Sequence, residues 1–384
     1  MENKTGMENT IKIGIAESSA EKLEIYRFRY HIYAEEMSRQ LLSADHTNKL
    51  IYDELDDWAI LLYAKIGSEL VGTMRINMGA LADFPAFWVQ ALSLEMFQQF
   101  YEEKNEQKFA YSSKIMVSPR YRNSAVCYLL LAKGYELLCE YRVQFSFCVC
   151  NLHLLGFYEQ IGFRRYGRNF VDADYGLLVP FVLLHDDLEH LRAVKSPLFR
   201  LARKREILHN QAAEWFYEEF TEYSDAINSQ LVIEDELWVI LCHKLGYPPH
   251  HAMPALNGLS ETEARKLLHR CGVVVRCRAG DHILARGQAS FDVNILLSGK
   301  LRSRRFSTLG LNVLPGQHFG ANGLVNKSKQ TKNIIAAIDA EILVLSSLYF
   351  TRFSQSHPEI ADKVLRNLDG ASGRTSGCTS TVGA

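Results

Sequence analysis

Residues 117–127 read VSPRYRNSAVC. The stretch stands between an apolar run, FAYSSKIMV, and an amphipathic one, SAVCYLLLAKGYELLCEYR. It therefore reads as the end of a strand, a turn and the start of a helix. A helix start presents N–H groups that lack intrahelical acceptors, together with a partial positive charge. That arrangement suits a phosphate. Arg120 and Arg122 add point charges, and the small side chains of Ser124 and Ala125 leave room for close approach. Glycines ordinarily provide such room, and this turn has none.

Outward from the turn, the pattern alternates between strand and helix. IKIGIAES alternates like a strand. SAEKLEIYRFRYHIYAEEM repeats Leu23, Tyr26, Tyr30, Tyr33 and Met37 at helical spacing, with Ser18 or Ser19 as cap. WAILLYAKIGSELVGTMRINMG reads as a hairpin turning near Gly67. FPAFWVQALSLEMFQQFYEEKNEQ reads as helix. VQFSFCVCN is a strand, LHLLGFYEQIG a short helix, and FRRYG and GLLVPFVLLH are strands. The order predicts an α+β fold, a mixed β-sheet flanked by helices. Helical pattern continues to about Leu245, through a basic patch at FRLARKRE, and YPPHHAMPALNG reads as a linker. Short β segments separated by glycines follow, as in a small β-jelly-roll. The expected boundaries are 11–195 for the first domain, 196–262 for a helical connector, 263–368 for the jelly roll and 369–384 for a disordered tail.

A length of 384 residues suits two domains. Hydrophobic residues make up 47% and charged residues 23%, the balance of a soluble globular chain. A net charge of −1 gives no global field for nucleic acid. Scattered cysteines without zinc spacing, and no secretory signal, favour reduced thiols in a cytoplasmic protein. GLLVPFVLL is too short to span a bilayer, so no transmembrane segment is expected. No metal is expected either: in HDDLEH the two histidines do not share a helix face, and Asp186 or Asp187 reads as a helix cap.

The ordered motifs resemble the GNAT acyltransferase superfamily. Val117, Pro119 and Arg122 match its V-x-P-x-x-R turn, with Ala125 and Cys127 replacing the two glycines. Downstream, Asn151, Phe157, Tyr158, Glu159, Gly162 and Phe163 match an asparagine followed by F-Y-E-x-x-G-F. RYHIYAEEM, DELDD, GTMRIN and YSSKIMV further resemble the N-acyl amino acid synthase and acyl-homoserine-lactone synthase types. Lys114 stands where those families carry arginine.

The resemblance implies an acyl group carried on a thioester co-substrate, acyl-phosphopantetheine or acyl-CoA, and no tightly bound cofactor. Ile115, Val117, Arg120, Arg122, Asn123, Ser124, Ala125 and Asn151 are the implied thioester-binding positions. Arg29, Tyr33, Arg75, Ser113 and Lys114 are the implied acceptor-binding positions. Glu36, Asp53 and Asp56 are candidates to bind an ammonium and pass on its proton, and Tyr158 to protonate the leaving thiolate. Arg120, Arg122, Lys133, Arg164 and Arg165 would form a basic surface for an acidic acyl carrier protein.

The C-terminal region resembles a cyclic-nucleotide-binding domain, with Gly280, Asp281, Gly287, Ser298 and Gly299 in its opening strands. GQHFGANGLVN, from Gly316 to Asn326 and including Gly320, stands where that family has its phosphate-binding cassette. Ala321 replaces the cassette glutamate, and the arginine position falls near Gln330, with Lys332 close by. Losing charged hydrogen bonds at both positions should weaken nucleotide binding about a hundredfold or more. The expectation is an N-acyltransferase acting on an amino acid, with a degenerate regulatory or assembly domain. Its rivals are an acyl-homoserine-lactone-type synthase, a nucleotide-gated protein acetyltransferase and a non-catalytic scaffold.

Overall fold

The computed structural model describes residues 10–39, 41–101, 107–205, 210–221, 227–303, 313–325 and 328–374. Contacts divide these residues into two compact units. The first takes in 10–149, 160–168 and 180–221; the second takes in 150–159, 169–179 and the chain from 227 onward.

The first unit is built on strands β1 (Ile11–Ile15), β4 (Ile60–Ile66), β5 (Glu69–Gly79), β6 (Phe109–Val117), β7 (Phe145–Cys150), β8 (Arg164–Arg165) and β10 (Gly176–Leu184), adjacent in the order β1-β4-β5-β6-β7-β10-β8. A two-residue ladder, β2 (Ala44–Asp45) with β3 (Leu50–Ile51), stands apart. The β4–β5 hairpin closes with Ile66 opposite Glu69 and Gly67 at φ 60°. A left-handed first turn residue matches the twist of the flanking strands, and glycine adopts it without strain. Helix α1 (Ser19–Tyr30) starts at Ser18, which forms a reciprocal cap with Glu21. It runs on as a π-helical turn, His31–Glu36, which carries Tyr33 and Glu36.

The region expected as one helix from Phe84 is two short ones, α2 (Ala86–Ala91) and α3 (Leu94–Gln98). They break at Ser93, which is left-handed at φ 50°. Residues 102–106 of that expectation lie outside the described residues. Helix α4 (Val126–Glu140) packs directly on β5, where a Cβ on Gly72 would come within 2.9 Å of Val126 and 3.0 Å of Leu130. Aromatic rings of Phe97, Phe109, Phe145, Phe147, Tyr166, Phe216 and Phe220 form one core that runs across the expected domain boundary at 195. Helix Gln211–Glu219, assigned to a connector, therefore belongs to this first core.

The second unit holds a jelly-roll-like pair of sheets. One has β11 (Gly272–Cys277), β17 (Ala340–Ser346), β13 (Asp292–Ser298) and β15 (His318–Phe319), in that order. The other has β12 (His282–Leu284), β16 (Ile334–Ala336) and β14 (Leu301–Ser303). Gly299 sits at φ 90°, and a Cβ there would lie 2.4 Å from the Asp339 carbonyl, so the tight connection admits only glycine.

Helices Glu234–Leu245, Glu261–Cys271, Ser347–Ser356 and Pro358–Arg374 cover the barrel. The expected linker at Tyr247–Gly258 is also core. Pro249 and Pro254 begin two helical turns, and Met253, Ala255 and Leu256 are buried. Proline suits a first helical position, so punctuation in the sequence marks helix starts here and not a flexible join. The last helix runs to Arg374, six residues into the expected tail, and 375–384 lie outside the described residues.

Segments 150–159 and 169–179 of the expected first domain join this second unit. The Ser346 hydroxyl donates to the His153 carbonyl at 2.7 Å, His153 packs on Phe291 with centroids 4.9 Å apart, and Asn169 donates to the Arg276 carbonyl at 3.0 Å. The short strand β9 (Phe170–Asp172) pairs with β10 at Gly176–Leu178.

Asp292, in β13, is buried and accepts from the Asn294 amide at 2.9 Å. Burial pushes its carboxyl up to about 6, against an ordinary 3.8, and the hydrogen bonds from Asn294 and Ser290 offset this only in part. The folded state therefore holds a proton that the unfolded chain gives up, so stability rises as pH falls from about 7 to about 4. The term is on the order of 2–3 kcal/mol. Asp292→Asn should be the more stable protein at pH 8 and should lack this slope. Urea midpoints across that range check it, and parallel curves for the two proteins would refute it.

Candidate active site

Three elements bring charge together in the first unit. The stretch DELDDW forms a 3-10 turn, Glu54–Trp58, capped by Asp53. Asp53 accepts from Leu55 N–H at 3.1 Å, and Asp56 reaches back to Asp53 N–H at 2.9 Å. This reciprocal cap fixes both carboxylates before either meets a cation. Both oxygens of Asp56 then accept from one guanidinium nitrogen of Arg29 on α1, Nη1, at 2.8 and 2.9 Å, with both groups sealed from solvent. Arg75, on β5, lies 3.1 Å from Asp56, pairs with Asp53 and donates to the Ser113 hydroxyl at 2.9 Å. Ser113 lies opposite Arg75 in the β5–β6 register.

Lys114 follows Ser113 at a bulge. Between Thr73↔Met116 and Arg75↔Ser113, strand β6 spends one more residue than β5, and Lys114 sits at φ 52°. A bulge re-aims side chains. It brings the Lys114 ammonium to 3.5 Å from Asp53 and 5.5 Å from the Tyr33 ring, with 6% of the side chain exposed. Burial raises the Asp53 carboxyl, but Arg75 and Lys114 more than offset this and hold it below the usual range. Its side chain remains 31% exposed, so of the two clustered carboxylates it is the one an incoming group can reach.

The turn at 117–127 lies beyond the bulge on the same strand. Pro119–Tyr121 is one 3-10 turn, and α4 begins at Val126. Ser124 donates to the Tyr121 carbonyl at 2.6 Å and accepts from Val126 N–H at 3.3 Å. Arg122, Asn123, Ser124 and Ala125 are exposed, and Ile115 is half-buried. The parallel register between β6 and β7 runs from Phe109↔Phe145 to Tyr111↔Phe147 and stops there. The strands are thus joined at one end only, and a turn rich in helix-start amides stands at the other.

Several expected residues are engaged elsewhere. Arg122 donates to both oxygens of Glu36 and to the Val117 carbonyl at 3.1 Å, so this pair holds the turn against the π-helical segment. Glu36 is accordingly tied to Arg122. Asn151 donates to the carbonyls of Tyr175 and Leu177, at 2.7 and 3.0 Å. Tyr158 is buried against Phe157, and both Asn151 and Tyr158 fall in the second unit. The expected basic surface thins, because Arg164 is buried on Asp187 and also donates to Tyr217 at 3.0 Å. Arg120 is exposed. The sequence reading missed the bulge, whose only trace was the match of Ser113 and Lys114 to a paired motif.

In the barrel, the Gln330 side-chain oxygen accepts from Ala321 N–H at 2.8 Å, and Gly320 lies within 2.9 Å of the same oxygen if given a Cβ. The cassette amide is therefore satisfied by the chain itself. Lys332 is exposed.

Comparison with family models matches residues 24–187 to "N-acyl amino acid synthase FeeM". Over residues 24–187 the chain is similar to the N-acyl amino acid synthase family, and it is an acyltransferase. The match takes in α1 from Glu24 onward, the Asp53 cluster, the bulge and the turn at 117–127.

Among solved structures, the synthase half of the chain is similar to FeeM, an N-acyl amino acid synthase from uncultured soil microbes. Identity is 14%, covering 50% of this chain and 98% of that one, with a TM-score of 0.38. It is also similar to BjaI, a CoA-dependent acyl-homoserine lactone synthase, at 14% identity, 51% and 91% coverage, and a TM-score of 0.37. A cyclic nucleotide-binding domain from Methylobacillus flagellatus is similar at 18% identity, 31% and 70% coverage, and a TM-score of 0.27. The family match, and not these distant likenesses, carries the assignment. Comparison with curated proteins finds no match. No helix among the described residues is long and apolar enough to cross a membrane.

Removing one partner of a buried ion pair strands the other charge. Asp56→Ala leaves the Arg29 guanidinium buried without its anion and should cost about 3–5 kcal/mol of stability. Denaturant unfolding measures this, and a loss below about 1 kcal/mol would show that the cluster does not depend on the pair.

Proposed function

We propose that the protein moves a fatty acyl group from a thioester to the amino group of an amino acid, releasing the thiol. The observation that carries this reading is Asp53. It is a half-open carboxylate, held by Arg75 beside Lys114, within the segment matched to the synthase family. An acceptor ammonium docks on the open edge of Asp53, with Tyr33, Arg75, Ser113 and Lys114 around it. Asp56 and Arg29 are sealed beneath and keep Asp53 and Arg75 in place. The thioester arm lies along the end of β6, with its phosphate on the exposed turn Arg122–Ala125 and the start of α4. Cys127, in the first helical turn, has its thiol pushed up to about 11 by burial, so it stays protonated and is no rival nucleophile.

The proposed donor is an acyl carrier protein in preference to acyl-CoA. A turn without glycines gives less backbone purchase on a nucleotide pyrophosphate, and a carrier brings its own docking surface. Arg192, Lys195, Arg200, Arg203 and Lys204 are exposed on the first unit and offer a positive face to an acidic carrier. We further propose that the barrel regulates or assembles the enzyme without binding a cyclic nucleotide, because Gln330 already occupies the cassette amide.

Lipids from a host expressing the full chain should contain N-acyl amino acids. Asp53→Ala should lower product about 10- to 100-fold, the worth of a charged hydrogen bond. Lactones in place of acyl amino acids, or no acylated product, would overturn the reading. Calorimetry should show no heat with cAMP or cGMP at micromolar concentration, and saturable binding there would refute the view of the barrel.

A further inference from the structure

We propose that Lys114 is the base of the reaction: its amine takes the proton from the acceptor's ammonium before the nitrogen attacks the thioester. This rests on the acyl-transfer reading above. The other candidates are badly placed for the task. Asp56 is sealed and shared between Arg29 and Arg75, and Glu36 is held by Arg122. Asp53 faces the acceptor, but its neighbours keep it below the usual carboxylate range, far from the affinity needed to deprotonate an ammonium.

Lys114 differs in placement and in surroundings. The bulge aims a left-handed lysine into the cluster, a conformation that side chains other than glycine rarely adopt. Such local cost gathers at functional sites. The groups that face it are Arg29 from α1, Tyr33 from the π-helical turn, Asp53 and Asp56 from the 3-10 turn and Arg75 from β5. The Asp53 and Asp56 carboxylates are also claimed by the guanidinium groups of Arg75 and Arg29, so Lys114 does not hold Asp53 alone. Burial first, and then Arg75, bring the Lys114 ammonium down to about 8.

The step balances. An N–H bond of the acceptor ammonium breaks and a bond from its proton to Lys114 Nζ forms. The neutral nitrogen then bonds to the carbonyl carbon, the C–S bond breaks, and the nitrogen's second proton ends on the departing sulfur. Lys114 returns its proton to water between turnovers, while Asp53 keeps the acceptor nitrogen within reach.

The test uses the full chain and Lys114→Arg, which keeps the positive charge and the length but does not titrate. Decanoyl-acyl carrier protein and decanoyl-CoA serve as donors, with the standard amino acids as acceptors. Wild type should show kcat/KM rising through pH 8. Lys114→Arg should lose about 10²- to 10⁴-fold in kcat and shift the rising limb to the higher pH of the free acceptor amine. In parallel, ¹³C NMR of wild type labelled at the lysine Cε should show one resonance titrating near pH 8, absent from a variant whose circular dichroism matches wild type; this readout does not depend on turnover. Product from wild type with an unchanged limb in Lys114→Arg, or a Lys114 resonance titrating with the bulk lysines, overturns the proposal alone. No product from wild type with either donor overturns the acyl-transfer reading, and this proposal with it.

Discussion

The contact between Arg29 and Asp56 is the constraint on which the first unit's chemistry depends. Both groups are removed from water, so each is tolerable only with the other present. The pair ties α1 to the turn after β3. Through Asp53 and Arg75 it fixes that turn on β5, and through Ser113 it reaches β6. A chain of charges thus runs from a helix to the third strand of the sheet without passing through solvent. Only its last carboxylate, Asp53, has an open edge. The apolar core beneath is the usual source of stability, but it could be repacked in many ways. The charge chain is directional, and it ends beside the bulge of β6 that precedes the turn at 117–127.

Much of this was legible in the sequence for identifiable reasons. The hairpin at Gly67, the strand before Val117 and the long helix after Ala125 follow from periodicity and turn chemistry. The grouping of Arg29, Asp53, Asp56, Arg75, Ser113 and Lys114 followed from ordered motifs, and the structure brings all six together. Their individual duties did not follow. Whether Asp53 or Asp56 meets solvent depends on which one the buried arginine seizes, and spacing along a chain does not carry that. The left-handed Lys114 was equally hidden, because a bulge is a property of two strands in register.

Prolines and glycines misled the reading where tertiary packing overruled local punctuation. The stretch from Tyr247 to Gly258 looked like a join and proved to be buried helical turns. The helix at Gln211–Glu219 looked like part of a connector, yet its rings complete the aromatic core of the first unit. In both cases the error came from treating the chain as beads in linear order. Contacts made by residues far apart in number decided the outcome, as they did for Asn151, whose amide spans two carbonyls on the far side of a loop.

The segments 150–159 and 169–179 have one further bearing. They lie inside the family match by number, yet their packing partners, Phe291, Arg276 and Ser346, are encoded more than a hundred codons later. A gene fragment ending where the family resemblance ends would make a chain that lacks its own scaffolding. Substitutions at Phe291 or Ser346 therefore act on the loop after β7 as directly as substitutions within it.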